Sequence, residues 1–161
     1  MIVKGKAYGT DFLGIFLCMV KRKLLFHPSF PKKSMLLKAS ECLGVELEEV
    51  SSDSPLLGIF VAGNSKGGVS GIEIRGMKII NTKYTALGNL IVANDKGALI
   101  APCLEPFKDE IEEGLGVKVA IGKIAGMEVV GSVVLANNRG ALVHPDASEE
   151  EMEVLEKALK V

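Results

Sequence analysis

The strongest constraint on this sequence is that it repeats itself. Leu57–Gly67, Leu87–Gly97 and Val130–Gly140 align without gaps on the pattern Leu/Val-Gly, five variable residues, then Asn-x-Lys/Arg-Gly. A looser copy, Leu13–Lys23, comes first. The residues that follow repeat as well: Leu24-Leu25-Phe26-His27-Pro28, Ala98-Leu99-Ile100-Ala101-Pro102 and Ala141-Leu142-Val143-His144-Pro145. The marker glycine recurs at Gly14, Gly58, Gly88 and Gly131, in steps of 44, 30 and 43 residues. Units this small cannot bury their own apolar faces, so they must stack on one another, around an axis or along a line.

The content of one unit follows from its pattern. The run after each marker glycine is apolar on both sides, which predicts a strand buried on both faces. Asn-x-Lys/Arg-Gly predicts a tight hairpin turn, with Gly67, Gly97 and Gly140 at positive φ. A second short strand ends at proline. A helix follows: Phe107, Ile111 and Leu115 form one apolar stripe, and Gly116 stands as its C-cap. Ser148 and Glu151 predict a capping box ahead of Met152, Leu155 and Leu159. A matching helix is expected over residues 32–43, stopped by Gly44, and third strands over 45–50 and 117–121. The short middle step predicts that the second repeat lacks its helix. Residues 68–76 read there as a turn and one strand. The expectation is one repeat domain over 1–161, with repeats of approximately 1–44, 45–76, 77–116 and 117–161.

Composition narrows the class. About half the residues are apolar and Trp is absent, so an aliphatic globular core is expected and a disordered chain excluded. The longest apolar runs, such as Gly14–Val20 and Leu56–Ala62, are far short of the ~20 residues of a membrane span. Met1–Gly9 carries Lys4 and Lys6 without a following apolar stretch of leader type, so no signal peptide is expected. Cys18, Cys42 and Cys103 are widely spaced and lack a CxxC pair, which suits reduced thiols in the cytoplasm. The chain contains no Gln, a depletion that fits a thermophilic source.

Charge is uneven although the net is -1. Lys4, Lys6, Lys21, Arg22, Lys23, Lys32, Lys33 and Lys38 face only Asp11 within residues 1–40, whereas acids outnumber bases two to one over 101–161. Lys21, Arg22 and Lys23 lie at the first predicted turn. Lys66, Lys96 and Arg139 lie at the equivalent turns. Stacked in register, these tips form one basic rim able to meet phosphate. A plain solvated edge would use the same residues.

The stretch Thr85-Ala86-Leu87-Gly88-Asn89, followed by Asn94-Asp95-Lys96-Gly97-Ala98-Leu99-Ile100, resembles segments of the archaeal and eukaryotic translation initiation factor 6 family, as does Asn138-Arg139-Gly140-Ala141-Leu142-Val143-His144-Pro145. The resemblance runs through nearly the whole chain and is strongest from about Asn81 to Val161. It implies an α/β pentein-like propeller of repeated β-β-α-β units, normally five blades in a closed ring. Four repeats are recognisable here, the second without its helix. It further implies a ribosome anti-association and large-subunit maturation factor. Such a factor binds ribosomal proteins and rRNA near the sarcin–ricin loop and blocks joining of the small subunit, with no catalytic centre, cofactor or metal. With a repeat fewer, open strand edges invite a homo-oligomer. A non-catalytic scaffold or truncated family fragment that self-associates is the alternative reading.

Penteins also include guanidine-modifying enzymes, which need a nucleophilic Cys, a general-base His and carboxylates. The two histidines, His27 and His144, occupy the same position in their repeats. That recurrence points to a structural task, since an active site is normally built once. No P-loop, dinucleotide fingerprint or HExxH is present. Glu149, Glu150 and Glu151 suit the first turn of a helix.

Overall fold

Each marker glycine sits in a single helical turn, and the strand begins only after it. In the computed structural model, which describes residues 4–161, the first repeat opens with a 3-10 turn at Leu13–Ile15 and continues as β1 (Cys18–Val20), β2 (Lys23–Phe26), α1 (Lys33–Leu43) and β3 (Glu46–Glu49). The second is α2 (Leu57–Phe60), β4 (Val61–Gly63), β5 (Gly68–Ser70) and β6 (Lys78–Ile79). The third is α3 (Leu87–Leu90), β7 (Ile91–Ala93), β8 (Ala98–Ile100), α4 (Lys108–Leu115) and β9 (Val119–Ile121). The fourth is α5 (Val130–Val133), β10 (Val134–Ala136), β11 (Ala141–Val143) and α6 (Glu149–Leu159). Met1–Val3, part of the stretch read above for a leader peptide, lies outside the described residues.

The first two strands of every repeat pair antiparallel as a hairpin. The third strand of the first three repeats pairs parallel with the second. A parallel return needs a crossover. α1 supplies it in the first repeat and α4 in the third. In the second it is the irregular segment between β5 and β6, so that repeat has no long helix among the described residues, in line with its short spacing. The predicted caps are present. Gly44 and Gly116 end α1 and α4 at φ 63° and 65°. Ser148 Oγ accepts Glu151 N–H at 3.2 Å, while Glu151 Oε2 accepts Ser148 N–H at 3.0 Å. Met152, expected on the buried stripe with Leu155 and Leu159, is 39 % exposed.

The core is a series of junctions rather than one centre. Ile111 and Leu115 of α4 pack on Ala62 and Val69 of the second hairpin. Leu155 and Leu159 of α6 pack on Val92 and Leu99 of the third. Each helix thus covers the repeat before its own. The first hairpin contributes Val20 and Leu25 to a cluster with Leu57, Val61 and Ile74. Ile74 belongs to the irregular crossover, which stands where a helix would.

Glycine at the marker position is explained by the same junctions. A Cβ on Gly58 would collide with the Gly14 carbonyl, one on Gly88 with that of Gly58, and one on Gly131 with that of Gly88. The helical turns touch backbone to backbone in a continuous stack. Gly14, the first in the stack, has nothing within 4 Å of the corresponding position.

The closed propeller implied by the resemblance is not what the chain forms. Its strands make four separate sheets, three of three strands and one of two. Among the described residues none closes into a barrel or propeller. Neighbouring repeats are joined by glycine contacts, helix packing and side-chain bonds, not by strand pairing. Among the described residues, the sheet of the fourth repeat contains β10 and β11.

Candidate functional site

Three asparagines organise the turns at one edge of the row. In each, the side-chain oxygen closes its own turn. Asn64 Oδ1 accepts from Lys66 and Gly67 N–H at 2.8 and 2.9 Å. Asn94 Oδ1 accepts from Lys96 and Gly97 at 2.9 and 3.0 Å. Asn137 Oδ1 accepts from Arg139 and Gly140 at 2.7 and 3.2 Å. The amide nitrogen then reaches the next repeat. Asn64 Nδ2 donates to the carbonyls of Asn94 and Leu115, both at 3.0 Å. Asn94 Nδ2 donates to Asn137 and Leu159 at 3.1 and 2.8 Å. Asn64 and Asn94 are accordingly buried polar groups with every hydrogen-bonding atom used.

Gly67, Gly97 and Gly140 lie in these turns, but none has positive φ. The first two are glycine because of the neighbouring repeat. A Cβ on Gly67 would strike the Gly114 carbonyl of α4, and one on Gly97 the Ala158 carbonyl of α6. Positive φ occurs instead at Lys21 and Arg22, at 51° and 60°, which form the two-residue turn of the first hairpin.

The turns are fastened side by side. Lys21 N–H donates to the Asn64 carbonyl at 2.8 Å. Ser65 N–H donates to Asp95 Oδ1 at 2.8 Å, and Asp95 N–H to Asn138 Oδ1 at 2.9 Å. Asn138 Nδ2 returns a bond to Asp95 Oδ2 at 2.7 Å. That hydrogen bond, ahead of those from Ser65 and the charge of Lys66, holds the Asp95 carboxyl below its ordinary range. All four turns border one cavity of about 360 Å³, lined among others by Met19, Arg22, Asn64, Asn94 and Asn137.

The basic residues of the rim divide by environment. Lys21, Arg22, Lys66 and Arg139 are exposed and make no side-chain hydrogen bond or ion pair among the described residues. Lys96 is exposed and donates to the Lys160 carbonyl at 2.8 Å. Lys23 is the first residue of β2 rather than of the turn, and pairs with Glu48 at 2.9 Å. Asn64, Asn94, Asp95 and Asn138, absent from the candidate residues read from sequence, hold the rim together. For Asn64 and Asn94 the signal was the recurrence of Asn at the head of the second, third and fourth turns.

The groups a guanidine-modifying site would need serve other ends. Ser29 N–H donates to His27 Nδ1 at 3.1 Å, and Asp146 N–H to His144 Nδ1 at 3.2 Å. Both imidazoles close the same local turn. His27 Nε2 lies 3.1 Å from the Ser52 carbonyl. Cys18 Sγ lies 3.6 Å from the Val61 carbonyl, and burial pushes its thiol up to about 12. A thiol held protonated there is not a nucleophile. Among the described residues no three His, Cys, Asp or Glu side chains cluster as a metal site would require.

The sequence profile of the eIF-6 family matches residues 2–161. The chain belongs to the eIF-6 family. Translation initiation factor 6 of Pyrobaculum arsenaticum is 35 % identical over 172 residues, covering 99 % of this chain and 78 % of the relative. That of Saccharolobus islandicus is 38 % identical over 171 residues, covering 96 % and 76 %. That of Pyrococcus abyssi is 37 % identical over 172 residues, covering 94 % and 75 %. Membership of the eIF-6 family is consistent with a non-enzymatic factor. No helix among the described residues is long and apolar enough to cross a membrane.

Proposed function

We propose that this eIF-6 chain is a cytoplasmic factor that binds the large ribosomal subunit on the face that meets the small one, blocks subunit joining and takes part in large-subunit maturation. The observation that carries the reading is the family match from residue 2 to residue 161. The rim supports it chemically. Lys21, Arg22, Lys66, Lys96 and Arg139 stand on turns held in fixed register by the asparagine bonds, so their charges are presented together. A rigid array of this kind suits rRNA phosphates, because little ordering remains to be done on binding. The neutral rim residues Ser65 and Asn138 leave room for contacts with ribosomal protein.

Co-sedimentation with purified large subunits tests the role of the rim. The triple variant K66E/K96E/R139E, all at exposed positions, should fold as the parent does and lose subunit binding at least tenfold. Unchanged binding of the folded variant would contradict a role for the rim.

A further inference from the structure

One rim cation is placed differently from the rest. Of Lys21, Arg22, Lys66, Lys96 and Arg139, Arg22 is the one that lines the cavity bordered by the four turns. Its backbone is strained to put it there. Lys21 and Arg22 both lie in the left-handed region, where a two-residue hairpin turn favours Asn and Gly, and none of the residues in the other three turns does. The strained turn is held from both sides. Lys21 N–H donates to the Asn64 carbonyl at 2.8 Å, and the Arg22 carbonyl accepts from Glu46 N–H at 3.3 Å. Strain fixed in this way by its surroundings is characteristic of ligand-binding positions.

The lining defines the ligand. At about 360 Å³ the cavity is at the small end of the ~300–1,000 Å³ range of ligand pockets. Met19, Val45, Ala93 and Ala136 give it apolar walls, and its charged groups are Arg22 and Asp95. Both Asp95 oxygens are already engaged, Oδ1 by Ser65 N–H at 2.8 Å and Oδ2 by Asn138 Nδ2 at 2.7 Å. The Arg22 guanidinium thus makes no ion pair among the described residues and keeps its fork of N–H donors for an anion. A small ligand with an apolar, flat body and one anionic group matches this lining. A nucleotide is such a ligand when its base is unstacked, which is the form in which single-stranded RNA is recognised.

We propose that the cavity between the four turns receives one unstacked nucleotide of single-stranded RNA, with Arg22 on its phosphate and Met19, Val45, Ala93 and Ala136 against its base. Arg22 binds the phosphate through two parallel N–H donors, a geometry that lysine does not offer. Lys21, Lys66, Lys96 and Arg139 surround the site and meet the flanking phosphates, so the strand enters along the rim. The inference rests on the ribosomal reading for its choice of RNA as the source of the nucleotide.

Fluorescence anisotropy of a labelled adenosine hexanucleotide with the full chain, at about 50 mM salt, tests the proposal without ribosomes. A136L fills the cavity and leaves every rim charge in place, and should weaken binding about tenfold or more. R22G removes the guanidinium and should weaken binding as strongly. K66Q, outside the cavity, should weaken it less than either. Circular dichroism checks that each variant folds. The unaltered chain gives a second reading that needs no variant: in nuclear magnetic resonance, adenine protons of the bound hexanucleotide should show Overhauser contacts to the methyl groups of Met19 and Val45. A folded A136L that binds as the parent does, or bound RNA without those contacts, means that the rim holds phosphates alone and overturns the proposal. Competition by free adenosine monophosphate at equal concentration would overturn RNA as the source. A parent that binds no hexanucleotide yet co-sediments with large subunits overturns the proposal and leaves the ribosomal reading standing.

Discussion

The side-chain amide of Asn94 donates to the carbonyl of Leu159, 65 residues further along the chain, at 2.8 Å. With its bond to the Asn137 carbonyl, it ties the turn of the third repeat to both the turn and the helix of the fourth. Removing it leaves buried donors and acceptors without partners, at about 1–3 kcal/mol each. N94A should therefore lose about 3 kcal/mol in urea unfolding. N137A removes an exposed side chain that bonds only its own turn, and should lose about 1 kcal/mol or less. Equal losses in the two variants would show that the bond between repeats contributes little.

The glycine stack makes a sharper contrast. In G88A the added methyl meets the backbone of Gly58, which has no rotamer to yield, so a loss of about 3 kcal/mol is expected. In G14A the methyl enters open space, and the change should stay within about 0.5 kcal/mol. Thermal unfolding of the pair separates close approach from a generic need for flexible backbone.

Glu151 gives the pH dependence a sign. Hydrogen bonds from Gly126 N–H first, then from Ser148 and Ala125, hold its carboxyl below the usual range. Because the folded-state value is depressed, the stabilisation is fully present above the unfolded value of ~4.3 and disappears as pH falls through the folded value. The Tm difference between the parent and E151Q should be constant from neutral pH down to about 5 and then shrink. A difference that grows in acid would contradict the assigned bonds.

Cys18 should behave as core. With its thiol at about 12, its thiolate fraction at pH 8 is about a thousandfold below that of an ordinary cysteine. Mass-spectrometric mapping of iodoacetamide labelling should find Cys18 modified only after denaturation. Rapid labelling in the native state would reopen the nucleophile reading.

Much of this fold is written locally, and those parts were legible. The capping box at Ser148 and Glu151 and the left-handed stops at Gly44 and Gly116 depend on residues a few positions apart. The helix missing from the second repeat follows from spacing alone. What escaped is what one repeat does to another. Gly67 and Gly97 look like turn glycines, yet their need arises from Gly114 and Ala158 on the next helix. The marker glycines read as strand starts, because a four-residue helical turn such as Leu57–Phe60 is too short to leave a periodic pattern. Met152 lies on the sequence stripe of α6 but borders an open cavity beside Ala141 and Val143 of its own hairpin. The ring was expected from kinship rather than from any residue, and the separate sheets correct it. Of the candidate rim, the charged tips could be read as turn residues. Lys23 could not be placed, since the first turn is two residues and β2 begins at that lysine. The asparagine bonds stayed hidden because their acceptors are backbone carbonyls, which any sequence supplies.

We propose that this chain keeps ribosomal subunits apart by occupying the large one. It is tested most directly by sucrose-gradient sedimentation of purified large and small subunits, with and without the protein, at two salt concentrations. The account predicts co-migration with the large subunit and fewer joined ribosomes. If about four rim charges meet phosphate, affinity should fall about 100-fold between 50 and 200 mM salt. Folded protein that stays at the top of the gradient at low salt, with subunit joining undiminished, would contradict it.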